Sequence, residues 1–382
     1  MKTTLFAVLT CWFLTLSFLS SPWHVTASEP AQEGAKVERE PSFLVGGDIS
    51  ALPVIEKAGG VYRMDGQPMD CVKLLSQCGW NCFRLRIFVN PTGKNVVVQD
   101  IPFTIALAKR IKATGAKLLL DFHYSDTWAD PAHQNKPKAW EQLDFAGLEK
   151  AVYEHSRDCI AKMKDAGVLP DMVQIGNEID PGILWPDGKL WGVGDPKQQW
   201  IQFGRLLKAG ARGVRQGAGE ERIAIVIHVS CGGNAEKATR FFQNIETQGV
   251  PYDIIGLSFY QWWHGTLSDL KNNLQSISTT FDKEIFIVET AYPYRPTKWY
   301  DKYSKQDNMT FASSEDGQVQ YFRQLLDTIR SVPTARVIGV QLWYPESIKV
   351  EGVHAWFGGA MAVFDEDGNL LPAAKLLGKS SR

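Results

Sequence analysis

The sequence predicts a single (β/α)8 barrel, and two observations carry this prediction. Eight short apolar segments of β type recur between residues 43 and 342, and a helical pattern separates each segment from the next. The segments begin at intervals of about thirty to fifty-five residues, which suits one strand plus one crossover helix. An open doubly wound sheet is the alternative, but no G-x-G-x-x-G motif follows the first segment.

Each predicted strand is a short apolar run followed by a polar or glycine-rich turn. The strands are expected at residues 43–49, 82–89, 117–122, 172–176, 224–228, 254–259, 285–288 and 337–342. Helices are expected at residues 70–77, 103–114, 147–166, 199–216, 236–248, 267–279, 316–332 and about 373–377. The helix at 147–166 shows its period well, because Leu148, Val152 and Met163 share one face and most charged residues lie away from it.

The N-terminus is typical of a secretory signal peptide. Lys2 precedes an apolar run over residues 5–19, and small residues lead to a cleavage site after Ala27. We therefore expect a secreted protein, extracellular or periplasmic. The alternative is that this stretch, extended to Val25, is kept as a membrane anchor. Residues 28–41 are charged and lack apolar periodicity, which predicts a flexible leader before a barrel domain at residues 42–382.

Composition narrows the classes of partner. The chain has 41 Lys or Arg and 42 Asp or Glu, so its formal net charge of -1 argues against nucleic-acid binding. We expect a monomer that makes no membrane contact after signal cleavage. Loss of Cys11 with the signal leaves an odd number of cysteines, which does not predict a disulfide framework. Cys71, Cys78 and Cys82 are interpreted as packing residues and not as zinc ligands.

Two glutamates follow predicted strands at the end of the barrel where chemistry is found. Glu178 comes directly after the fourth strand and Glu289 after the seventh, so they should face each other across the barrel mouth. Cleavage of a glycosidic bond uses such a pair, one carboxyl protonated as the acid and one ionised. Asn177 beside the acid is suited to hold a sugar 2-hydroxyl. The sequence therefore favours glycoside hydrolysis.

Other strand ends and the loops after them supply a polar and aromatic shell. Arg84 should favour the ionised form of Glu289, while less polar surroundings should keep Glu178 protonated. The candidate metal ligands are Asp121, His123, His228 and His264. No H-E-x-x-H motif is present, however, and neither a metal nor a cofactor is predicted. The expected substrate-binding residues are Asp48, Arg84, His123, Trp128, Asn177, Trp185, His228, Tyr260, Trp263, His264 and Trp343.

Six segments resemble glycoside hydrolase family 53, the endo-β-1,4-galactanases. They are GGDISALP (46–53), FRLRIF (83–88), LLLDFHYSDTWADP (118–131), QIGNEI (174–179), GLSFYQWWHGTL (256–267) and IVETAYPY (287–294). The resemblance covers roughly residues 43–375. It implies a barrel that cleaves internal β-1,4-galactosyl bonds of galactan and type I arabinogalactan with retention. It also implies that Glu178 is the acid/base, that Glu289 is the nucleophile, and that their carboxyls lie about 5 to 5.5 Å apart.

The chain also departs from the family pattern. The eighth strand ends in Leu342-Trp343-Tyr344-Pro345 where Tyr-Trp-Glu-Pro is usual, so the outer sugar subsites are not defined by the resemblance. The acidic run at 365–367 is interpreted as a solvated turn in preference to a calcium site. Trp80, Trp200 and Trp299 are predicted to pack and not to bind sugar. The remaining alternatives are a related endoglycanase on another β-linked polymer and an inactive glycan-binding barrel.

Overall fold

The computed structural model describes residues 42–298 and 308–381. Its strands, in chain order, are β1 (Leu44–Asp48), β2 (Tyr62–Met64), β3 (Gln67–Met69), β4 (Cys82–Ile87), β5 (Lys117–Phe122), β6 (Met172–Ile175), β7 (Gly182–Ile183), β8 (Gly188–Lys189), β9 (Ala224–Val229), β10 (Ile254–Ser258), β11 (Glu284–Thr290) and β12 (Val337–Trp343). Eight of them close a parallel barrel in the order β1-β12-β11-β10-β9-β6-β5-β4. The predicted (β/α)8 barrel is confirmed.

Helices connect the barrel strands. In the described part of the chain they are α1 (Leu52–Lys57), α2 (Cys71–Gln77), α3 (Ile101–Lys112), α4 (Phe145–Asp165), α5 (Pro196–Ala218), α6 (Ala235–Thr247), α7 (Gln261–His264), α8 (Leu267–Thr280), α9 (Glu315–Arg330) and α10 (Pro372–Lys379). Short 3-10 helices add Lys138–Trp140 and Trp356–Gly359. The sequence prediction missed α1 and α7, because elements this short do not display a helical period.

Helix starts are fixed by side-chain caps. Asp100, Asp144, Asp195 and Asn234 each accept a hydrogen bond from the backbone N–H three residues later, at the start of α3, α4, α5 and α6. Such a cap satisfies one of the free N–H groups of the first turn. Because α3 and α5 carry proline in their first turn, they begin at Ile101 and Pro196, earlier than the apolar period alone predicted.

The barrel interior is divided into an apolar layer and a polar layer. Side chains from the barrel strands form a buried apolar cluster at the amino-terminal end, made of Leu44, Cys82, Leu119, Met172, Val226, Ile254, Phe286 and Val288. Alternate residues of a strand share one face. The residues two positions after Cys82, Leu119 and Val226 are Arg84, Asp121 and His228, which are fully buried. The period of the strands therefore places polar side chains at the carboxyl ends.

Several sequence-based expectations concern other parts of the chain. The signal peptide, the leader and the anchor alternative at residues 5–25 lie outside the described residues, and so does Trp299. No helix within the described residues is long and apolar enough to cross a membrane. The five described cysteines are free thiols; Cys71 and Cys82 are buried, as expected for packing residues, and Cys78 is half-buried.

Candidate active site

A sharp turn after β6 presents Glu178. Gly176 has a φ of 84° and Glu178 a φ of 47°, so the backbone enters the left-handed region twice within three residues. Gly176 has no room for a side chain, because a Cβ there would lie 2.5 Å from Cγ2 of Ile179. A left-handed glutamate costs conformational energy and is held by its surroundings. Here the Glu178 N–H donates to Nδ1 of His228 at 3.3 Å, which fixes the turn.

Glu289 lies on β11 opposite Ser258 of β10, just past a register shift between the two strands. Its Oε1 accepts a hydrogen bond from Nη1 of Arg84 at 2.9 Å. Its Oε2 accepts from the Tyr260 hydroxyl at 2.9 Å and from the Ser258 hydroxyl at 3.4 Å. Both oxygens of this buried carboxylate are therefore hydrogen-bonded, which holds the side chain in one orientation.

The two carboxyls lie close enough to share one sugar ring. One oxygen of Glu178, one oxygen of Glu289 and a ring nitrogen of His228 all lie within 4.8 Å of one another. In inverting glycosidases the two carboxyl groups lie about 6.5 to 9.5 Å apart, which leaves room for a water molecule between one carboxylate and the sugar. The two carboxyls here are closer than that. The separation suits direct attack by one carboxylate.

The surroundings of the two carboxyls favour opposite protonation states. Burial and the neighbouring Glu289 charge raise the pKa of Glu178 well above its usual value. Burial also raises the pKa of Glu289, but the Arg84 guanidinium and the Tyr260 hydroxyl oppose that rise. These surroundings favour the protonated form at Glu178 and the ionised form at Glu289.

Arg84 is the centre of the buried network beneath the carboxyls. In addition to Glu289, its Nη2 donates to Oδ2 of Asp121 at 2.8 Å and to Oδ1 of Asn177 at 2.7 Å. Asp48 lies 3.5 Å from its Nη1. A fully buried guanidinium is tolerated because its charge is balanced by carboxylates with good geometry. Arg84 thereby ties the Asn177-Glu178 turn to the opposite carboxylate.

His228 links the Glu178 turn to Glu289 through hydrogen bonds. Its Nδ1 accepts a hydrogen bond from the Glu178 N–H, and it lies 3.0 Å from Nε2 of Gln174 and 3.1 Å from Oδ1 of Asn177. Nε2 donates to Oγ of Ser258 at 2.8 Å, and Ser258 donates in turn to Glu289. Burial and Arg84 lower the pKa of His228 well below its usual value. The imidazole therefore stays uncharged and orders this chain of hydrogen bonds.

A cleft of about 910 Å³ opens above the pair. Its walls include the indole rings of Trp128, Trp263, Trp343 and Trp356. Trp263 is 46% exposed, and the other three rings are half-buried. Aromatic faces of this kind pack against the C–H faces of sugar rings, so the cleft suits a carbohydrate.

Comparison with known proteins identifies the family. The glycosyl hydrolase family 53 profile matches residues 44–377. The chain belongs to this family. It is therefore a glycoside hydrolase.

Individual relatives cover most of the chain. An uncharacterised protein of Niallia circulans is 39% identical over 352 residues, which cover 89% of this chain and 94% of the relative. An arabinogalactan endo-β-1,4-galactanase of Thermothelomyces thermophilus is 35% identical over 308 residues, or 78% of this chain and 88% of the relative. The solved GH53 catalytic domain of Ignisphaera aggregans superposes with a TM-score of 0.81 at 32% identity, covering 89% and 97% of the two chains.

The family 53 barrel brings most of the predicted site residues together, in two layers. Those that line the cleft are Trp128, Asn177, Glu178, Tyr260, Trp263, His264, Glu289 and Trp343. Those that lie buried beneath it and act through hydrogen bonds are Asp48, Arg84, His123 and His228. His123 lies 3.0 Å from Asp121 and accepts from the Ala129 N–H, so it supports the loop that carries Trp128.

Trp185 is not among the cleft residues. It lies in the β7–β8 hairpin, where its indole N–H donates to the Pro181 carbonyl and its ring packs under the Lys189 ammonium at 4.4 Å. The prediction that this Trp faces the cleft is wrong. The sequence places it in the correct loop, but the short hairpin turns its ring toward its own loop.

Residues that the sequence pattern did not single out also shape the cleft, from the loop after the eighth strand and from behind Trp128. Trp356 and Tyr344 both follow the eighth strand and line the cleft. Arg86 is fully buried, donates to Asp48 at 2.8 Å and to the Tyr344 hydroxyl at 2.9 Å, and stacks on Trp128 at 4.4 Å. Its position two residues after Arg84 was the available signal, because both side chains point into the barrel.

The close approach of Glu178, His228 and Glu289 also satisfies the distances of a metal-ligand cluster. The hydrogen bonds argue for a different use. Both ring nitrogens of His228 are engaged, and Glu289 is already paired with a guanidinium. The donor set at the carboxyl pair is thus arranged for proton transfer.

The acidic run that begins at Asp365 is a turn, in which Oδ1 of Asp365 accepts hydrogen bonds from the N–H groups of Asp367 and Asn369.

Proposed function

We propose that this family 53 hydrolase is a secreted endo-β-1,4-galactanase that acts on galactan and type I arabinogalactan with retention of configuration. The observation that carries the proposal is the carboxyl pair. One oxygen of Glu178 and one oxygen of Glu289 lie within 4.8 Å of each other, and Arg84 donates a hydrogen bond to Glu289, which favours the ionised form of that carboxyl. The galactanase names of relatives such as the Thermothelomyces thermophilus enzyme support the substrate class.

In the first step, Glu289 is the nucleophile. An oxygen of its carboxylate attacks the anomeric carbon while the bond from that carbon to the leaving oxygen breaks. Glu178 gives its proton to the leaving oxygen, which departs as the new chain end. Arg84 and Tyr260 hold the attacking carboxylate in place through both of its oxygens.

In the second step, Glu178 acts as a base. Its carboxylate, now ionised, takes a proton from water, and the water oxygen attacks the anomeric carbon of the galactosyl ester on Glu289. The ester bond breaks, Glu289 returns to its carboxylate form, and Glu178 is protonated again. Two inversions give net retention, and no cofactor is needed.

The open cleft supports cleavage within a chain. It is about 910 Å³ in volume and is lined by Trp128, Trp263, Trp343 and Trp356, which offer more than one ring on which the sugars of a chain can stack. Secretion is proposed from the signal-like segment at residues 1–27. N-terminal sequencing of the exported protein should find a start near Ser28, whereas a start at Met1 in a membrane fraction would favour the anchor.

The substrate is tested with purified protein on debranched β-1,4-galactan, β-1,3-galactan, xylan, mannan and cellulose, with Glu289→Gln as the blank. We expect reducing sugar to appear from β-1,4-galactan alone, with the β-anomer forming first in the proton NMR spectrum. Release from another polymer would keep the mechanism and reject the substrate. Binding without release from any polymer would indicate an inactive glycan-binding barrel.

A further inference from the structure

A second cavity of about 260 Å³ lies beside the catalytic cleft, between the segment after β8 and helix α6. Trp191 and Trp200 form its aromatic side, and Asp180, Lys237, Arg240 and Asn244 contribute polar groups. The catalytic steps described above use none of these residues.

Trp191 is unusual because its large apolar ring is 45% exposed. Trp200 supports the same cavity from below and is anchored by edge contacts with Phe203 at 5.7 Å and Phe241 at 5.6 Å. Trp200 therefore contributes to the core, as predicted from the sequence, whereas Trp191 offers an indole face to solvent. An exposed aromatic ring next to a cavity is a common platform for the C–H face of a sugar.

Polar groups beside the indole suit hydroxyl groups of a neutral sugar. The Asn244 side-chain N–H donates to the Arg240 carbonyl at 2.9 Å, which leaves the Asn244 amide oxygen as an acceptor. The exposed Arg240 guanidinium adds donors at the same wall. The Lys237 charge is neutralised by Asp180, so the cavity does not present a strong cationic cluster.

The cavity is joined to the cleft by a shared wall. Ser230 lines the cleft, and its N–H and its hydroxyl both donate to Oδ1 of Asp180 at 2.8 Å. Asp180 lines the second cavity, so one buried pair of side chains separates the two spaces. The Ser230–Asp180 hydrogen bonds therefore link the wall of the cleft to the wall of the cavity that Trp191 lines.

We propose that this cavity is a distal binding site for the β-1,4-linked galactan chain, with Trp191 as the stacking platform and Arg240 as a hydroxyl ligand. The inference rests on the proposed function, because it takes galactan as the polymer. Its effect is on long chains, since a second contact on one chain raises the effective concentration of the polymer at the cleft.

The test uses affinity electrophoresis in gels that contain soluble β-1,4-galactan, with Glu178→Gln as the background so that the polymer is not cut. We expect Trp191→Ala to weaken retardation at least about threefold and Arg240→Ala to weaken it less. Ile201→Ala is the matched control, because Ile201 is an exposed apolar residue of α5 that does not line this cavity. It should migrate like its parent.

The active enzymes provide the second readout. Trp191→Ala should lower kcat/KM several-fold on galactan and leave kcat/KM on β-1,4-galactotriose unchanged. If the parent cleaves galactan and Trp191→Ala is retarded and active like Ile201→Ala, the distal site is refuted while the proposed function stands. If the parent neither cleaves nor binds galactan, the proposed function fails and the distal site fails with it.

Discussion

The floor of the cleft, defined by Arg84, Asp121 and His228, is fully buried and held by hydrogen bonds between these side chains and their neighbours. The rim, defined by Trp128, Trp263, Trp343 and Trp356, is aromatic and partly exposed. The floor lies on barrel strands, where each neighbour is fixed by strand register. The rim lies mostly on loops. The floor therefore determines which bond-breaking chemistry is possible, and the rim determines which polymer is bound.

The largest expected effect separates the roles of the carboxyls at the floor. Glu178→Gln should lower turnover of galactan by about 10²- to 10⁴-fold, because the leaving oxygen loses its acid. The loss of kcat/KM should be much smaller on an aryl β-galactobioside whose leaving group needs no proton, because kcat/KM reports the first step and not the base-assisted second step. Steady-state kinetics on both substrates measure the two values of kcat/KM. An equal loss of kcat/KM on the two substrates would contradict the acid role.

A pair of identical substitutions compares floor and rim directly. Arg84→Lys should lower kcat by about 10²-fold, because an ammonium lacks the planar fork whose separate nitrogens donate to Glu289 on one side and to Asp121 and Asn177 on the other. Arg86→Lys, two residues away, should instead raise KM for galactan by about three- to tenfold, because Trp128 loses its stacked guanidinium.

Kinetics of both variants, with circular dichroism to verify folding, measure that split. If Arg86→Lys reduced kcat as strongly as Arg84→Lys and left KM unchanged, the division between a chemical floor and a binding rim would be wrong.

A smaller effect concerns the acid limb of the pH profile. Tyr260→Phe removes a hydrogen bond that lowers the pKa of Glu289, so that pKa should rise. Since the nucleophile must be ionised, activity would then be lost at a higher pH on the acid side. The pH dependence of kcat/KM measures the shift, and an acid limb that stays in place or moves downward would exclude this role for Tyr260.

The smallest effect concerns stability beneath the rim. Glu346 is fully buried, one of its carboxyl oxygens has no hydrogen-bond partner, and burial raises its pKa to about 8. Between pH 4.5 and about pH 8, the native state keeps a proton on Glu346 that the unfolded chain has already released. The free energy of unfolding therefore falls as the pH rises through this range.

Replacing the Glu346 carboxyl removes this loss of stability at high pH. Glu346→Gln should be more stable than the parent by about 1 to 4 kcal/mol above pH 8 and similar to it below pH 4. Urea denaturation at both pH values measures the difference. A gain that is equal at both would mean that titration of Glu346 is not its source.

The residues of the floor could be predicted from the sequence, because they lie on barrel strands. Glu178, Glu289, Arg84 and His228 were predictable, because apolar strand runs locate the carboxyl ends and the two-residue period selects the inward face. The barrel itself followed from the repeated strand and helix patterns. These features depend on local order along the chain.

The rim was harder to predict because loops lack a period. Trp185 was assigned to the cleft and instead packs in its own hairpin, whereas Trp356 was missed although it lines the cleft. Trp356 begins a 3-10 helix in which Phe357 and Gly358 have φ of 47° and 64°, a left-handed pair that turns this loop. The residue types alone do not predict the path of the loop that carries Trp356.

The most direct measurement traps the covalent intermediate. A 2-deoxy-2-fluoro-galactoside with a reactive leaving group should label the protein with one equivalent of sugar, and peptide mass spectrometry should place that label on Glu289. The Glu289→Gln variant should remain unlabelled. A label on Glu178, or turnover of galactan to the inverted anomer without any label, would contradict the account of the floor.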